Sequence, residues 1–282
     1  MNPFIIADVG SNWRRYEDTD KNKECALNHI REAAKCGVSA VKFQYFTHKE
    51  LYGTEGDDTF SLPRAWLQDL KDECDRNKVE FMCTPFSREA VWTIDPLVKR
   101  HKVASCEMQH PGILEAIKKT RKPMIVSTGA ANDQEVRYLI SQWKPDVIME
   151  CVAAYPAKPS DYDLRYIRCI KALFEQQVGL SDHTLTNSLA LTAVGMGCTY
   201  FEKHFYVDPY AADCFAVTPD YGHSLGTQLL SEYVESIREG FSSLGDGQKR
   251  PRDSEMDIVK YYRRRDVVIN NVTGLFRSKP CK

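Results

Sequence analysis

Ten cysteines are present, yet no two of them stand in a C-x-x-C pair. A zinc knuckle or a thioredoxin-like redox motif needs that spacing, so neither is expected. No apolar run approaches the roughly 20 residues that a membrane-spanning helix requires. The N-terminus, MNPFIIADVG, lacks a basic n-region and turns polar early, so no signal peptide is expected. Charge of one sign is also missing: 38 Lys and Arg against 39 Asp and Glu leave a formal net charge of −1. That balance gives no electrostatic reason to bind nucleic acid or an anionic membrane. Only one glycine follows the first apolar run, in DVGSNWRR, where a dinucleotide-binding open sheet would place several.

What is present is a chain of 282 residues, 43% hydrophobic, large enough to bury a sizeable core. Cys83, Cys151 and Cys198 stand inside apolar runs and read as reduced, small core residues of a cytoplasmic protein. Eight short apolar runs alternate with longer amphipathic stretches. They are FIIADVG (4–10), SAVKFQ (39–44), VEFMCTPF (79–86), KVAS (102–105), PMIVSTG (123–129), DVIMECVAAYP (146–156), VGLSDHT (178–184) and TYFEKHF (199–205). Short, β-branched or aromatic, and not strictly alternating, they have the pattern of strands buried on both faces. The segments between them, such as NKECALNHIREAAKCG, PRAWLQDLKDECDRN and NSLALTAVGMG, carry helical spacing, and Gly37 offers a helix C-cap. Eight strand–helix units predict an α/β protein of the (β/α)8 TIM-barrel class. A doubly wound open sheet is the competing architecture.

In a barrel, the groups that meet a ligand sit at the C-terminal ends of the strands. Here the runs end in Asp8 and Asn12; Lys42 and Gln44; Thr84; Ser105 and Glu107; Ser127 and Thr128; Tyr155; Ser181, Asp182 and His183; and Glu202, Lys203 and His204. A strand meeting water explains any one of these. It does not explain Lys, Glu, Ser and His recurring at most of the ends. His183 and His204 close consecutive runs, and adjacent strands lie about 4.8 Å apart. Two imidazoles there can share a metal ion with positions left open for substrate, and nitrogen donors suit Mn, Fe, Co or Zn better than Mg. The other reading is a pair of histidines hydrogen-bonded to carboxylates. Lys42 and Lys102 lie in apolar segments, where an ammonium needs an anionic partner. A bound phosphate or carboxylate would supply one, with the hydroxyls of Thr84, Ser105, Ser127 and Ser181 beside it. Glu107 or Asp182 could instead neutralise a lysine, and Schiff-base chemistry is a third use for it.

VKFQ, CTPFS, KVASCE, KPMIVSTGAA, CVAAYPA, VGLSDHT and FEKHF, in that order, resemble the barrel of the N-acetylneuraminate (sialic acid) synthase family. That family includes legionaminate and pseudaminate synthases. The resemblance runs from residue 4 to about residue 265. It implies that C3 of phosphoenolpyruvate adds to the aldehyde of an open-chain N-acyl hexosamine or related aldose. Water attacks C2 and phosphate leaves, giving a 2-keto sugar acid. It implies a divalent ion, Mn2+ first and Mg2+, Co2+ or Fe2+ as alternatives, on His183 and His204. Lys42, Thr84, Lys102, Ser105, Ser127 and Ser181 would then hold phosphoenolpyruvate. Glu107 would move a proton or orient water, with Asp8 beside the reaction. Gln44, Asn12, Tyr155 and Asp220 would face the acceptor. A homodimer is expected on the same ground.

Some positions depart from the family. Asp8 stands where a glutamate is usual, and NWRR (12–15) replaces Asn-His-x-Gly, so Arg14 and Arg15 read as a solvated loop or as receivers of an anionic acceptor group. Ala153 and Ala154 remove a polar contact made by some members. YVDPYAADCFAVTPD (206–220) is longer than the usual link, and His223 after it reads as a loop residue or a third site histidine. Residues 1–243 are expected to form the barrel, and 244–282 a charged linker and tail without the small antifreeze-like domain of the family. The alternatives are a Schiff-base lyase and a barrel that binds ligand without turnover.

Overall fold

The computed structural model describes residues 2–208, 218–269 and 272–276. The centre of the long link after FEKHF, residues 209–217, lies outside the described residues. Two compact units divide the chain, residues 1–243 and 244–282. In the first unit the chain runs β1 (Phe4–Asp8), α1 (Thr19–Lys35), β2 (Ala40–Tyr45), α2 (His48–Tyr52), α3 (Leu67–Arg76), β3 (Glu80–Pro85), α4 (Arg88–Ile94) and β4 (His101–Val103). It continues with α5 (Pro111–Thr120), β5 (Met124–Ser127), α6 (Asp133–Trp143), β6 (Val147–Cys151), α7 (Arg165–Phe174), β7 (Gln177–Asp182), α8 (Ser188–Met196), β8 (Tyr200–His204) and α9 (Thr227–Leu244). All eight strands are parallel, in the order β3-β2-β1-β8-β7-β6-β5-β4, and β3 and β4 lie against each other to close the barrel. The second unit contains an antiparallel hairpin of β9 (Arg265–Ile269) and β10 (Val272–Phe276).

Local chemistry sets the element ends. The Asp18 side chain accepts from the amides of Asp20 and Lys21, which starts α1 three residues before its apolar spacing does. Gly37, at φ +83°, follows the last turn and donates to the Ala34 carbonyl, the left-handed stop that the sequence suggested. In α3 the 3–4 spacing of Leu67, Leu70 and Cys74 turns one stripe inward.

Two apolar clusters account for the unbroken apolar runs. Inside the barrel Ile6, Ala40, Met82, Ile125, Val147 and Met149 pack on one another. Outside it Ile5, Ala7, Val41, Phe43, Phe81 and their neighbours pack against the helices. Each of the larger side chains, the Ile, Val, Met and Phe, contributes roughly 1.5–3 kcal/mol when fully buried. Gly179 in β7 has no room for a side chain, because a Cβ there would lie 2.7 Å from the Tyr200 carbonyl oxygen. At the N-terminal end of the strands Arg100 donates to Glu80 at 2.8 Å and to the Tyr200 hydroxyl at 3.1 Å, over the Phe4 ring. That end is plugged, and the polar opening is at the other.

Candidate active site

Strand alternation sorts the polar ends into two groups. Asp8, Lys42, Gln44, Thr84, Lys102, Ser127, Cys151, Ser181, His183, Glu202 and His204 point inward and, with Phe86, Ser105 and Tyr155, line one small cavity at the C-terminal mouth. Asp182 and Lys203 have the opposite parity. They pair at 3.1 Å behind the sheet, both wholly buried, and Lys203 also donates to the Thr184 carbonyl and sits over the Tyr233 ring. These two, and Thr128, whose hydroxyl donates to the Met149 carbonyl at 3.1 Å, are strand-end polar groups that do not line the mouth.

Two lysines and two carboxylates fill the floor of the mouth. Lys42 Nζ donates to Asp8 at 2.7 Å and to Thr84 at 3.1 Å, and lies 3.9 Å from Glu202. Lys102 Nζ donates to Ser127 at 2.6 Å and to the Val103 carbonyl at 3.2 Å, 3.4 Å from Glu202. Ser181 donates to Glu202 at 3.2 Å. The lysine partners are therefore Asp8 and Glu202. Glu107 and Asp182, the partners weighed from sequence, are not used. Burial lowers the Lys42 pKa, but Asp8 and Glu202 outweigh it and hold the ammonium above its ordinary range. Burial dominates at Lys102, which is shifted down. Burial alone would raise Glu202, yet Lys102 and Lys42 hold it well below the usual carboxylate range. The four charges balance, so a polyanionic ligand entering here needs a further cation.

Imidazoles gather at the rim. The His183 and His204 rings are 5.5 Å apart, and the His204 and His223 rings 4.6 Å. Tyr155 stacks on His183 at 4.4 Å and on His223 at 4.7 Å. His183 Nδ1 is held by the Val152 carbonyl at 2.7 Å, which turns Nε2 away from that carbonyl. Burial, then the neighbouring His204, pushes His183 down to about 3, so its ring is the neutral form that ligates metals. Burial lowers His204 as well, against the pull of Asp8 and Asp220. Ligand atoms of His204, Asp220 and His223 lie within 4.8 Å of one another, and buried His204 Nδ1 and His223 Nε2 have no hydrogen-bond partner among the described residues. Orphaned imidazole nitrogens beside a carboxylate fit a divalent cation.

Asp220 is fixed by the Ser11 amide and hydroxyl, each at 2.6 Å. Burial would raise its carboxyl, but His223, His204 and Ser11 hold it far down. It leans on Gly10, at φ +53°, where a Cβ would come within 2.3 Å of its oxygen; only glycine fits.

Other expected residues lie elsewhere. Asn12 is fully buried and committed: its amide donates to the Phe205 carbonyl and Ser224 hydroxyl, both at 2.9 Å, and its oxygen accepts from Thr218. It ties the first loop to the last and does not line the cavity. Glu107 ends a short turn after β4, half-buried and off the cavity lining, its pKa raised by burial. Ser105 lines the cavity and accepts from the Gly129 amide at 3.0 Å. Arg15 is only 2% exposed, its guanidinium 5.4 Å from the Tyr221 ring and 5.8 Å from Tyr206, so the solvated reading does not hold for it. His223, 3% exposed, is packed into the site and is not a free loop residue. Glu202 carried no assigned role in the sequence reading. The signal was its position two residues before His204, on the same strand face.

A closed parallel barrel with charge-paired lysines and clustered imidazoles at one mouth defines a (β/α)8 enzyme able to hold an anion beside a cation. The chain belongs to the NeuB family, whose model matches residues 29–249. An N,N'-diacetyllegionaminic acid synthase of Legionella pneumophila is 30% identical, over 94% of this chain and 79% of that protein. A pseudaminic acid synthase of Campylobacter jejuni is 28% identical, over 87% and 76%. The crystal structure of the N-acetylneuraminic acid (sialic acid) synthetase from Leptospira borgpetersenii in complex with citrate superposes with a TM-score of 0.81 at 27% identity, covering 92% of this chain and 90% of that one.

Proposed function

We propose that this chain condenses phosphoenolpyruvate with the aldehyde of an N-acyl hexosamine or related aldose, giving a 2-keto sugar acid of the sialic acid type and phosphate. The observation that carries this reading is the pair of buried lysines, Lys42 and Lys102, set among the hydroxyls of Thr84, Ser127 and Ser181 beside clustered imidazoles. Family membership and the names of the synthases it resembles support the same chemistry.

In this reading Lys42 and Lys102 hold the phosphate and carboxylate of phosphoenolpyruvate by charge-assisted hydrogen bonds, with Thr84, Ser105, Ser127 and Ser181 completing the cradle. Glu202, 3.9 Å from Lys42 and 3.4 Å from Lys102, aims both ammoniums into the cavity. Asp8 is the carboxylate on the cavity available to move a proton or orient the water that attacks C2, and Glu107, off the lining, would act on that step indirectly. Gln44, Tyr155 and Asp220 face the acceptor; Asn12 supports that wall from behind. His183 and His204 would hold a divalent ion, Mn2+ first, which when bound supplies a Lewis acid for the aldehyde oxygen and offsets the ligand's negative charge. The acceptor aldehyde must come from a reaction that leaves a free reducing end.

We place the reaction in the cytoplasm because the eight cysteines among the described residues are all free thiols. No helix of the described residues is long and apolar enough to cross a membrane. A homodimer is proposed, and light scattering of the purified chain tests it. Calorimetric titration with phosphoenolpyruvate tests the anion cradle. Micromolar binding that disappears in Lys42→Ala and Lys102→Ala supports the function. A wild-type chain that does not bind phosphoenolpyruvate, with or without Mn2+, overturns it.

A further inference from the structure

We propose that Asp220 and His223 add to the His183 and His204 pair, so that His204, Asp220 and His223 form a three-residue seat beside His183 and this chain holds the divalent ion before substrate arrives. The inference deepens the reading above and rests on it. Two strand-end histidines alone would leave the ion dependent on substrate oxygens for much of its hold.

The argument begins with His223. It is 3% exposed, and its Nε2 is buried without a hydrogen-bond partner among the described residues. An unpaired buried nitrogen is costly. His101 also leaves Nδ1 unpaired, but its Nε2 meets Asp95 at 3.0 Å, and it belongs to no cluster of ligand atoms among the described residues like the one at His223. His29 in α1 satisfies both nitrogens: Nδ1 meets the Cys25 carbonyl at 2.7 Å and Nε2 meets the Val207 amide at 3.2 Å. His204 Nδ1 is orphaned in the same way as His223 Nε2. A carboxylate stands between them: Asp220 Oδ1 lies 3.4 Å from His223 Nε2. The other Asp220 oxygen is pinned by Ser11, which fixes the direction of the first. The three side chains put their ligand atoms within 4.8 Å of one another. Two imidazole nitrogens and one carboxylate oxygen are a donor set for Mn, Fe, Co or Zn. Tyr155 lies tilted against both His183 and His223, with ring centroids 4.4 and 4.7 Å away.

The test uses the whole chain stripped of metal, without phosphoenolpyruvate. Free Mn2+ is followed by its six-line electron paramagnetic resonance signal during titration. His223→Ala and His223→Asn are compared with wild type and with His183→Ala and His204→Ala. The Asn variant keeps a polar side chain and carries the test if the Ala variant fails to fold, which circular dichroism reports. We expect wild type to bind one Mn2+ and both His223 variants to bind it at least tenfold more weakly. An affinity within twofold of wild type in a folded His223 variant overturns the proposal. If His204→Ala still abolishes binding in that case, the ion of the proposed function stands and only the three-residue seat falls. If wild type leaves Mn2+, Co2+ and Zn2+ all free, the ion and the seat fall together.

Discussion

The two faces of strands β7 and β8 use the same chemistry to different ends. Behind the sheet, Asp182 and Lys203 form a sealed pair, both at 0% side-chain exposure, with Thr184 donating its amide and hydroxyl to the carboxylate. In front, Ser181 and Glu202, their immediate neighbours in sequence, join Lys42 and Lys102 in a cluster that borders the cavity. The rear pair braces the strand ends that carry His183 and His204. The front cluster meets a cavity instead of a packed helix layer. The histidines divide in the same way: His29 has both nitrogens bonded, while His204 and His223 keep orphaned ones. A buried charge is therefore not in itself a functional sign. Nor is an orphaned buried atom, since Asp182 Oδ2 and His101 Nδ1 also lack hydrogen-bond partners among the described residues; what separates framework from site is whether the polar atoms border open space.

Lys203→Met should show the largest effect. It leaves the Asp182 carboxylate buried without its cation, and breaking a buried pair from one side costs about 3–5 kcal/mol. Urea unfolding should show that loss, and the double variant Lys203→Met, Asp182→Asn should recover part of it. A loss below about 1 kcal/mol would break the comparison, because the sealed pair would then be no brace.

Lys42→Ala, on the open face, should lower phosphoenolpyruvate affinity about 100-fold, near 3 kcal/mol, since charged hydrogen bonds are worth roughly 1.5–3 kcal/mol each. Calorimetry measures this directly. Unchanged affinity would make Lys42 a second framework lysine.

His29 gives a smaller, pH-dependent effect. Burial pushes its pKa down to about 4, against an ordinary 6.5. The unfolded chain takes up a proton below 6.5 while the folded chain does not until about 4. Stability is therefore lost as pH falls through that window, by about 1.4 kcal/mol per unit. Because His183, His204 and His101 are lowered as well, denaturant midpoints at pH 5.0, 6.0 and 7.5 should fall at least that steeply in wild type, and His29→Gln should reduce the slope without abolishing it. An equal slope in the variant would show that other groups carry it.

Glu107→Gln should have the smallest effect, a fall in kcat of less than about tenfold, near 1.4 kcal/mol. Its place off the cavity lining argues for an indirect role. A loss of about 1000-fold would put Glu107 among the reacting groups and show that the ligand-bound site closes further than the mouth described here.

Much of this was legible in the residues. The eight strands could be found because residues buried on both faces give continuous apolar runs; their ends moved by one to a few residues, as with KVAS (102–105) against β4 (His101–Val103). The inward ring of Lys42, Thr84, Lys102, Ser127, Ser181, His183 and His204 followed from placing those runs in a barrel. Strand parity was also written in the sequence, since Ser181 and His183, and Glu202 and His204, stand two apart. Applying it would have set Asp182 and Lys203 aside and raised Glu202. Asn12, Arg15 and His223 were not legible in the same way. They lie in loops, where no period says which way a side chain points, and their partners are up to about 200 positions away, as Asn12 with Ser224.

The most direct test of the account is phosphate release. The purified chain is mixed with phosphoenolpyruvate and Mn2+, then with a panel of N-acyl hexosamines and simple aldoses, with EDTA controls. The account expects phosphate only when metal and one aldehyde acceptor are both present, in step with a new 2-keto acid. Phosphate released without any acceptor, or a panel of N-acyl hexosamines that yields neither phosphate nor keto acid, would contradict it.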